Sequence, residues 1–205
     1  MKWKKLGKIF DPTTMGVGGW MYEQAQNPFA IELDNAVRVF FNTRSPRDAQ
    51  GKSKSLPAYV DLDKTDITKV LHVSESPVLN FGELGAFDEF GVMSGSVKKF
   101  NDVYHLYYVG WTRKVSVPYD WQIGLAISCD DGNTFKRYGR GPIIGPSPDE
   151  PFLQAACSSI IYQDGLYHLF YTTGVRWLQQ EAKPESCYRV VKATSRDGIL
   201  WERNG

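Results

Sequence analysis

The sequence predicts an all-β fold in which a unit of about 66 residues is repeated. Aromatic residues make up 14% of the chain, and aromatic and β-branched side chains favour the pleated, half-buried surface of a strand. A strand-like aromatic run recurs at Val39–Phe41, Tyr104–Tyr108 and Tyr167–Tyr171. Little of the intervening sequence has the periodicity of a helix.

Turn sequences recur with the aromatic runs at similar spacing. Asp131-Gly132 and Asp197-Gly198 lie 66 residues apart, and each precedes an aromatic residue, Phe135 or Trp201. Asp and Gly favour a tight turn, so the aromatic residue is predicted to begin a further strand. We therefore interpret Asp131 and Asp197, together with Asp130, as turn-forming residues.

The spacing predicts three repeats within a single domain that spans residues 1–205. Each repeat has about four strands, the size of a propeller blade with long loops. Segment 1–12 is predicted to be an additional outer strand, because Trp3 resembles Phe135 and Trp201 in its local sequence. Closed propellers pair their edge strands, so we predict an incomplete propeller that needs further C-terminal blades or a second copy. A β-sandwich is the alternative. The predicted blades cover residues of about 18–84, 85–149 and 150–205.

Charge and composition argue against several functional classes. The chain has 24 Lys and Arg against 23 Asp and Glu, which does not suit binding to nucleic acid or to a membrane surface through bulk charge. No apolar stretch approaches the ~18 residues that a membrane span requires. Cys129, Cys157 and Cys187 are widely spaced and match no zinc or disulfide pattern. We predict a cytoplasmic protein without a metal or other cofactor.

The second repeat resembles a blade of a known superfamily. Val103–Tyr108, Ile123–Ser128 and Asp131–Phe135 are together similar to a blade of the five-bladed β-propeller glycosidases. This superfamily includes arabinanases, invertases, levansucrases and mannoside phosphorylases. Phe87–Gly91 and Gly110–Arg113 resemble an uncharacterised branch associated with bacterial surface-polysaccharide genes. The resemblance implies about three of five blades, and a protein that cleaves or transfers a glycosidic bond of a neutral or anionic sugar.

The resemblance also implies where the superfamily's three carboxylates would lie. Counting back from the aromatic strands places these positions at Asn27, near Ser96 and near Ala156, none of which is a carboxylate. Asparagine cannot act as a general base or as a carboxylate nucleophile. We therefore predict that Asn27 binds substrate and that the usual hydrolytic machinery is absent.

Two acidic pairs, Asp88-Glu89 and Asp149-Glu150, precede the predicted inner strands of the second and third repeats. They lie 61 residues apart, so the repeat could bring them to one pocket. Glycoside cleavage needs one protonated acid and one ionised carboxylate. We predict Glu150 as the acid, Glu89 as the base or nucleophile, Asp88 as a further catalytic candidate, and Asp149 as a substrate-binding residue. The alternative for each is a solvated acid that caps a turn.

Arginine and tryptophan residues follow the aromatic strands at similar positions. Arg44, Arg113 and Arg176 leave the ends of the same type of strand, and Trp111 and Trp177 lie beside two of them. Arginine suits carboxylate or phosphate, and a Trp ring can stack on a sugar. We predict that all five bind a sugar or oligosaccharide; surface exposure and packing between blades are the alternatives. At the level of function, a non-catalytic carbohydrate-binding module and an inactive propeller fragment remain open.

Overall fold

The computed structural model describes residues 2–100 and 102–203, apart from the side chains of residues 156–159. Its strands form three four-stranded antiparallel sheets, which confirms the predicted all-β class. No helix in these ranges has the length and apolar character of a membrane span. The elements are α1 (Pro12–Met15), β1 (Glu23–Glu32), β2 (Ala36–Arg44), β3 (Ser55–Asp63), β4 (Val70–Val73), β5 (Gly91–Phe100), β6 (Val103–Arg113), β7 (Tyr119–Ser128), β8 (Lys136–Arg137), β9 (Ala155–Gln163), β10 (Leu166–Leu178), β11 (Glu185–Ser195) and β12 (Glu202–Arg203).

The chain divides into two compact units, residues 1–78 and 79–205. Unit 1 contains the sheet β1-β2-β3-β4, and unit 2 contains the sheets β5-β6-β7-β8 and β9-β10-β11-β12. Each sheet therefore joins strands that are consecutive in the chain, and each lies inside one of the three predicted repeats. The arrangement of these repeats as blades of a single domain stays a prediction.

The core of unit 1 lies on one side of its sheet. Phe41 of β2 and Val60 of β3 are buried there with Met21. Elsewhere in the sheet, Arg38 and Asp61 face each other across β2 and β3, with Arg38 Nε and Nη2 donating to the two carboxylate oxygens at 2.8 and 2.7 Å. This buried pair leaves neither charge unsatisfied.

The predicted outer strand in segment 1–12 is wrong, because residues 2–11 form no strand. A strand is held by hydrogen bonds to a partner strand, and none is paired with this segment in the described part of the chain. Instead, Asp11 caps the short helix α1 by accepting from Thr13 N–H. Phe10 packs against Phe41 with 5.2 Å between the ring centroids. The segment thus covers apolar side chains rather than extending a sheet.

The two sheets of unit 2 share one apolar core. Tyr107 and Leu125 of the second sheet pack with Leu169 and Val191 of the third. Tyr107 also donates its hydroxyl to the Gly198 carbonyl, 2.9 Å away and 91 positions later in the chain. The sheets are therefore joined both by apolar packing and by a buried hydrogen bond.

The predicted turn role of Asp130 and Asp197 is confirmed. Asp130 accepts from the Ser128 hydroxyl and from Thr134 N–H, and Asp197 accepts from the Ser195 hydroxyl and two following backbone N–H groups. These turns connect β7 to β8 and β11 to β12. The same side-chain chemistry thus forms the same turn in both sheets of unit 2.

Candidate functional site

Asp88 lies in the loop before β5 and is held by a tyrosine and an arginine. Its Oδ2 accepts from the Tyr108 hydroxyl at 2.9 Å and from Arg137 Nε and Nη2 at 2.8 and 2.7 Å. Arg137 also donates to the Asn80 carbonyl at 2.6 Å. Only 1% of Asp88 is exposed. One arginine on β8 therefore fixes the loop that leads into β5.

Glu150 has the same partners in the next sheet. The Tyr171 hydroxyl lies 2.8 Å from both carboxylate oxygens, and Arg203 Nη1 lies 3.3 Å from Oε2. Arg203 on β12 also donates to the Gly145 carbonyl at 2.5 Å. Glu150 is 3% exposed. We call each of these arrangements an acid–tyrosine–arginine cluster.

Each cluster gives a buried carboxylate a cationic partner, although Asp88 Oδ1 has no hydrogen-bond partner among the described residues. Burial, and then the neighbouring carboxylate, raises the pKa of Tyr108, and burial with the Glu150 hydrogen bond raises that of Tyr171. Both hydroxyls therefore stay protonated and donate to the acid. The catalytic role of Asp88 and Glu150 stays a prediction. In this geometry both carboxylate oxygens of Glu150, and Oδ2 of Asp88, accept hydrogen bonds from protein donors.

The remaining predicted acids of unit 2 lie nearer the surface. Glu89 is half-buried, and its Oε2 accepts from Gly85 N–H at 2.6 Å within the loop before β5. Asp149 is exposed in the loop before β9. Of the predicted catalytic carboxylates, Glu89 is thus the one that combines partial exposure with a fixed position.

Trp111 and Arg113, both predicted to bind substrate, contact the ring of Phe90. The rings of Phe90 and Trp111 meet edge to face at 4.4 Å, and the Arg113 guanidinium lies 3.5 Å from the Phe90 ring centroid. Trp111 covers Gly91 so closely that a Cβ atom there would lie 1.5 Å from the indole nitrogen. Glycine is therefore required at the start of β5, directly after Glu89-Phe90.

A second aromatic group lies at the same end of β6 and β7. Tyr119 stacks on Trp121 with 4.8 Å between the ring centroids, and Trp177 of the third sheet meets Tyr119 edge to face at 5.5 Å. Trp121 faces Trp111 across the strand pair, and Tyr119 faces Arg113. The structure thus brings the predicted residues Trp111, Arg113 and Trp177 to one end of unit 2.

Sequence reasoning missed Tyr119 and Trp121. Their signal was the aromatic pair that follows the short loop after Arg113, since a hairpin places such residues beside the preceding strand end. Arg176 is exposed, one residue before Trp177 in β10. Ser96 is buried in β5, and the side chain of Ala156 lies outside the described residues.

Asn27 and Arg44 lie in unit 1. Asn27 is exposed in β1 with a φ of 50°, where two irregularities shift the pairing of β1 with β2. Arg44 is half-buried at the end of β2 and donates to Gln26 Oε1 at 3.3 Å. Burial lowers the pKa of Arg44, while the charge of Glu23 opposes that change. Their predicted role in substrate binding stays a prediction.

No cluster of three or more His, Cys, Asp or Glu side chains suited to a metal occurs within residues 2–100 and 102–203 as described. At the aromatic end of unit 2, indole, guanidinium and hydroxyl groups can donate hydrogen bonds, and the carboxylate of Glu89, which precedes Phe90 in the sequence, can accept them. That donor set suits hydrogen bonding to a hydroxyl-rich ligand.

Comparison with known proteins gives relatives in sequence and in fold. No family model matches the chain. Uncharacterized proteins from two strains of Mycobacterium tuberculosis are 33% identical over 204 residues, which is 99% of this chain. The chain spans 64% of the length of those relatives.

Among solved structures, a putative glycosidase from Bacteroides thetaiotaomicron matches 96% of this chain and 57% of its own, with a TM-score of 0.65 and 19% identity. The GH32 β-fructofuranosidase of Bombyx mori matches 88% of this chain and 36% of its own, with a TM-score of 0.64 and 11% identity. The sucrose-6-phosphate hydrolase of Lactobacillus gasseri matches 88% of this chain and 34% of its own, with a TM-score of 0.60 and 15% identity. The chain has the fold of these glycoside hydrolases. The predicted resemblance to the glycosidase propellers is thereby confirmed as a likeness of fold.

Proposed function

We propose that this chain belongs to a carbohydrate-active protein of the glycosidase type, and that its three sheets are three blades of a propeller. Its substrate is a sugar or oligosaccharide that enters at the aromatic end of unit 2. The observation that carries the proposal is the Phe90 cluster, in which Trp111 and Arg113 contact the ring of the residue that follows Glu89 in the sequence. The cluster supplies an apolar surface, a cation and a carboxylate within a glycoside hydrolase fold.

In this proposal Glu89 is the base or nucleophile in cleavage or transfer of a glycosidic bond. Its position is fixed by the Gly85 N–H, while partial exposure leaves it open to a ligand. Glu150 remains the proposed acid, although its use would require Tyr171 and Arg203 to release the carboxylate. That requirement makes Glu89 the sharper target for an experiment.

The test is turnover of a panel of aryl glycosides and sugar phosphates by the wild-type chain and by Glu89→Gln. Removal of a general base or nucleophile is expected to lower kcat by about 100-fold or more, with little change in KM. Glu83→Gln is the matched control, because Glu83 is an exposed acid of the same loop. Turnover by Glu89→Gln at the wild-type rate would contradict the catalytic assignment.

A second candidate function is saccharide binding without catalysis. It is favoured by the acid–tyrosine–arginine clusters, which occupy Glu150 and the Oδ2 atom of Asp88, and by the non-carboxylate residues Asn27 and Ser96. This function predicts saturable binding of an oligosaccharide, no turnover, and the same affinity in Glu89→Gln. Calorimetric titration alongside the turnover assay separates the two functions.

A further inference from the structure

We infer that Tyr119, Trp121 and Trp177 form a stacking subsite for a pyranose ring of an oligosaccharide. The ligand class rests on the proposed function, whereas the subsite itself is a feature of unit 2 that adds to the residues beside Glu89. Tyr119 and Trp121 are nearly parallel, with 13° between their planes, and Trp177 stands at 65° to Tyr119. We call these three rings the aromatic platform.

The aromatic platform is separate from the apolar core of unit 2. The core cluster is built from other side chains, including Tyr107, Leu125 and Leu169, which are almost fully buried. The three platform side chains are only partly buried, in contrast to those of the core. Large aromatic side chains that remain partly exposed at one end of a unit are typical of a binding surface.

A buried carboxylate holds the platform in place. Asp120, between Tyr119 and Trp121, is 7% exposed. Its Oδ1 accepts from the backbone N–H of Trp121 and of Leu153, each at 3.0 Å, and Lys114 Nζ lies 3.5 Å from Oδ2. Asp120 thus ties the start of β7 to the loop before β9.

One further hydrogen bond and one constrained backbone conformation strengthen this tie. Gln154 N–H donates to the Trp121 carbonyl at 2.9 Å, one residue after the Leu153 bond to Asp120. Leu153 is fully buried with a φ of 61°, a backbone conformation that is costly for leucine and persists where neighbours hold it. Because ordered rings lose little freedom on binding, this rigidity favours affinity.

The chemistry of the platform suits a sugar ring. The apolar C–H face of a pyranose can lie on an indole or phenol ring, while its hydroxyls reach the indole N–H and Tyr119 O–H groups. Ser186 Oγ, 3.4 Å from the Tyr119 hydroxyl, adds a polar group beside the rings. Trp111 and Trp121 face each other across β6 and β7, so the platform lies next to Trp111 and hence to the Phe90 cluster.

An occupant that covers both places is longer than one sugar. The surface from Phe90 to Trp177 crosses from β5 to the third sheet, and neighbouring strands lie about 4.8 Å apart. We therefore assign the site to an oligosaccharide, with one ring near Glu89 and another on the platform. Hexasaccharides should bind more tightly than the matching monosaccharides.

The test is calorimetric titration with cello-, xylo- and mannohexaose and their monosaccharides. Trp121→Ala and Trp177→Ala are each expected to weaken hexasaccharide binding about tenfold or more. Trp3→Ala, which removes a tryptophan that is 89% exposed in unit 1, serves as the control and should bind like the wild type. Unchanged affinity in both platform variants would overturn the inference, as would a loss of thermal stability without a change in affinity.

A measurement on the wild-type chain avoids any variant that fails to fold. The indole N–H signals of Trp121 and Trp177 should shift in NMR spectra when hexasaccharide is added, while that of Trp3 stays in place. Asp120 is tested as a positioning residue: Asp120→Asn keeps an acceptor for Leu153 and should retain affinity, whereas Asp120→Ala should lose it. Equal affinity in Asp120→Ala and the wild type would contradict that role.

The two proposals fail in different ways. Binding that depends on Trp121 and Trp177 without turnover would leave the platform intact and contradict catalysis. Turnover that depends on Glu89, together with an unchanged KM in the platform variants, would support catalysis and contradict the platform. Failure of every hexasaccharide to bind the wild-type chain would overturn the platform.

Discussion

The two sheets of unit 2 fix the loops before their first strands with the same three groups, whereas no such cluster holds the segment before β1 in the part of unit 1 that the structure describes. Phe41 occupies the repeat position of Tyr108 and Tyr171, and it has no hydroxyl to donate to an acid. Its ring instead packs on Phe10. The comparison teaches that an acid recurring at repeat spacing can be part of the scaffold, whatever further role it has.

The largest effect is expected from removing the acids. Asp88→Ala would leave Arg137 and the Tyr108 hydroxyl without their buried partner, at a cost of about 3–5 kcal/mol in the free energy of unfolding. Glu150→Ala should cost less, because its arginine contact is longer, 3.3 Å against 2.7 Å. Urea denaturation measures both.

Asp149→Ala is the control for the acid substitutions, since an exposed acid should change stability by no more than about 0.5 kcal/mol. If Asp88→Ala lowers the free energy of unfolding by less than about 1 kcal/mol, the cluster contributes little to the stability of the sheet and the contrast with unit 1 is wrong.

Removing the tyrosine hydroxyls should have a smaller effect. Tyr108→Phe and Tyr171→Phe each delete one hydrogen bond to a buried carboxylate, at an expected cost of about 1.5–3 kcal/mol. Chemical denaturation of both variants beside Tyr138→Phe, whose side chain is 53% exposed, provides the measurement. Similar losses in the free energy of unfolding would show that the two sheets use the tyrosine hydroxyl in the same way. A loss in only one variant would limit this stabilising role to that variant's sheet.

The smallest effect concerns the turns and depends on pH. Backbone N–H groups of Leu200 and Ile199 lower the pKa of Asp197. A lowered pKa in the folded state stabilises the protein above the unfolded value of about 3.9, and this contribution is lost as the pH falls through the folded value. The wild type should therefore have a higher Tm than Asp197→Asn at pH 7 and pH 5, and the difference in Tm should shrink below about pH 4.

The same direction is expected for Asp130 in the second sheet. Burial acts to raise its pKa, but the hydrogen bonds from Ser128 and Thr134 outweigh burial and lower it. Asp130→Asn should follow the pH profile of Asp197→Asn. Melting differences that are equal at pH 3 and pH 7 would show that these carboxylates do not need their charge in the turn.

Sequence reasoning succeeded where the information is local. The aromatic runs and Asp-Gly turns predicted strands and sheet boundaries, because the side-chain pattern of a strand and the backbone demands of a turn are set by nearby residues. The outer strand in segment 1–12 failed for the converse reason. A resemblance around Trp3 says nothing about whether a partner strand is present to accept its hydrogen bonds.

The candidate site was predictable only in part. Trp111 and Trp177 were found because they repeat, while Tyr119 and Trp121 were missed because their neighbours come from other strands. The partners of Asp88 and Glu150 were also missed, although their signal was present. Tyr108 and Tyr171 are 63 residues apart, and Arg137 and Arg203 are 66 apart, so each acid repeats together with a matching hydroxyl and a matching guanidinium.

The acid–tyrosine–arginine clusters set an order of events during synthesis on the ribosome. Asp88 precedes its arginine by 49 positions, and Glu150 precedes its own by 53. At translation rates of about 5–20 residues per second, each acid waits about 3–10 s before its cationic partner is made. Nascent sheets of unit 2 therefore acquire their buried ion pair last, when the outermost strand emerges, and each sheet completes in the direction of translation.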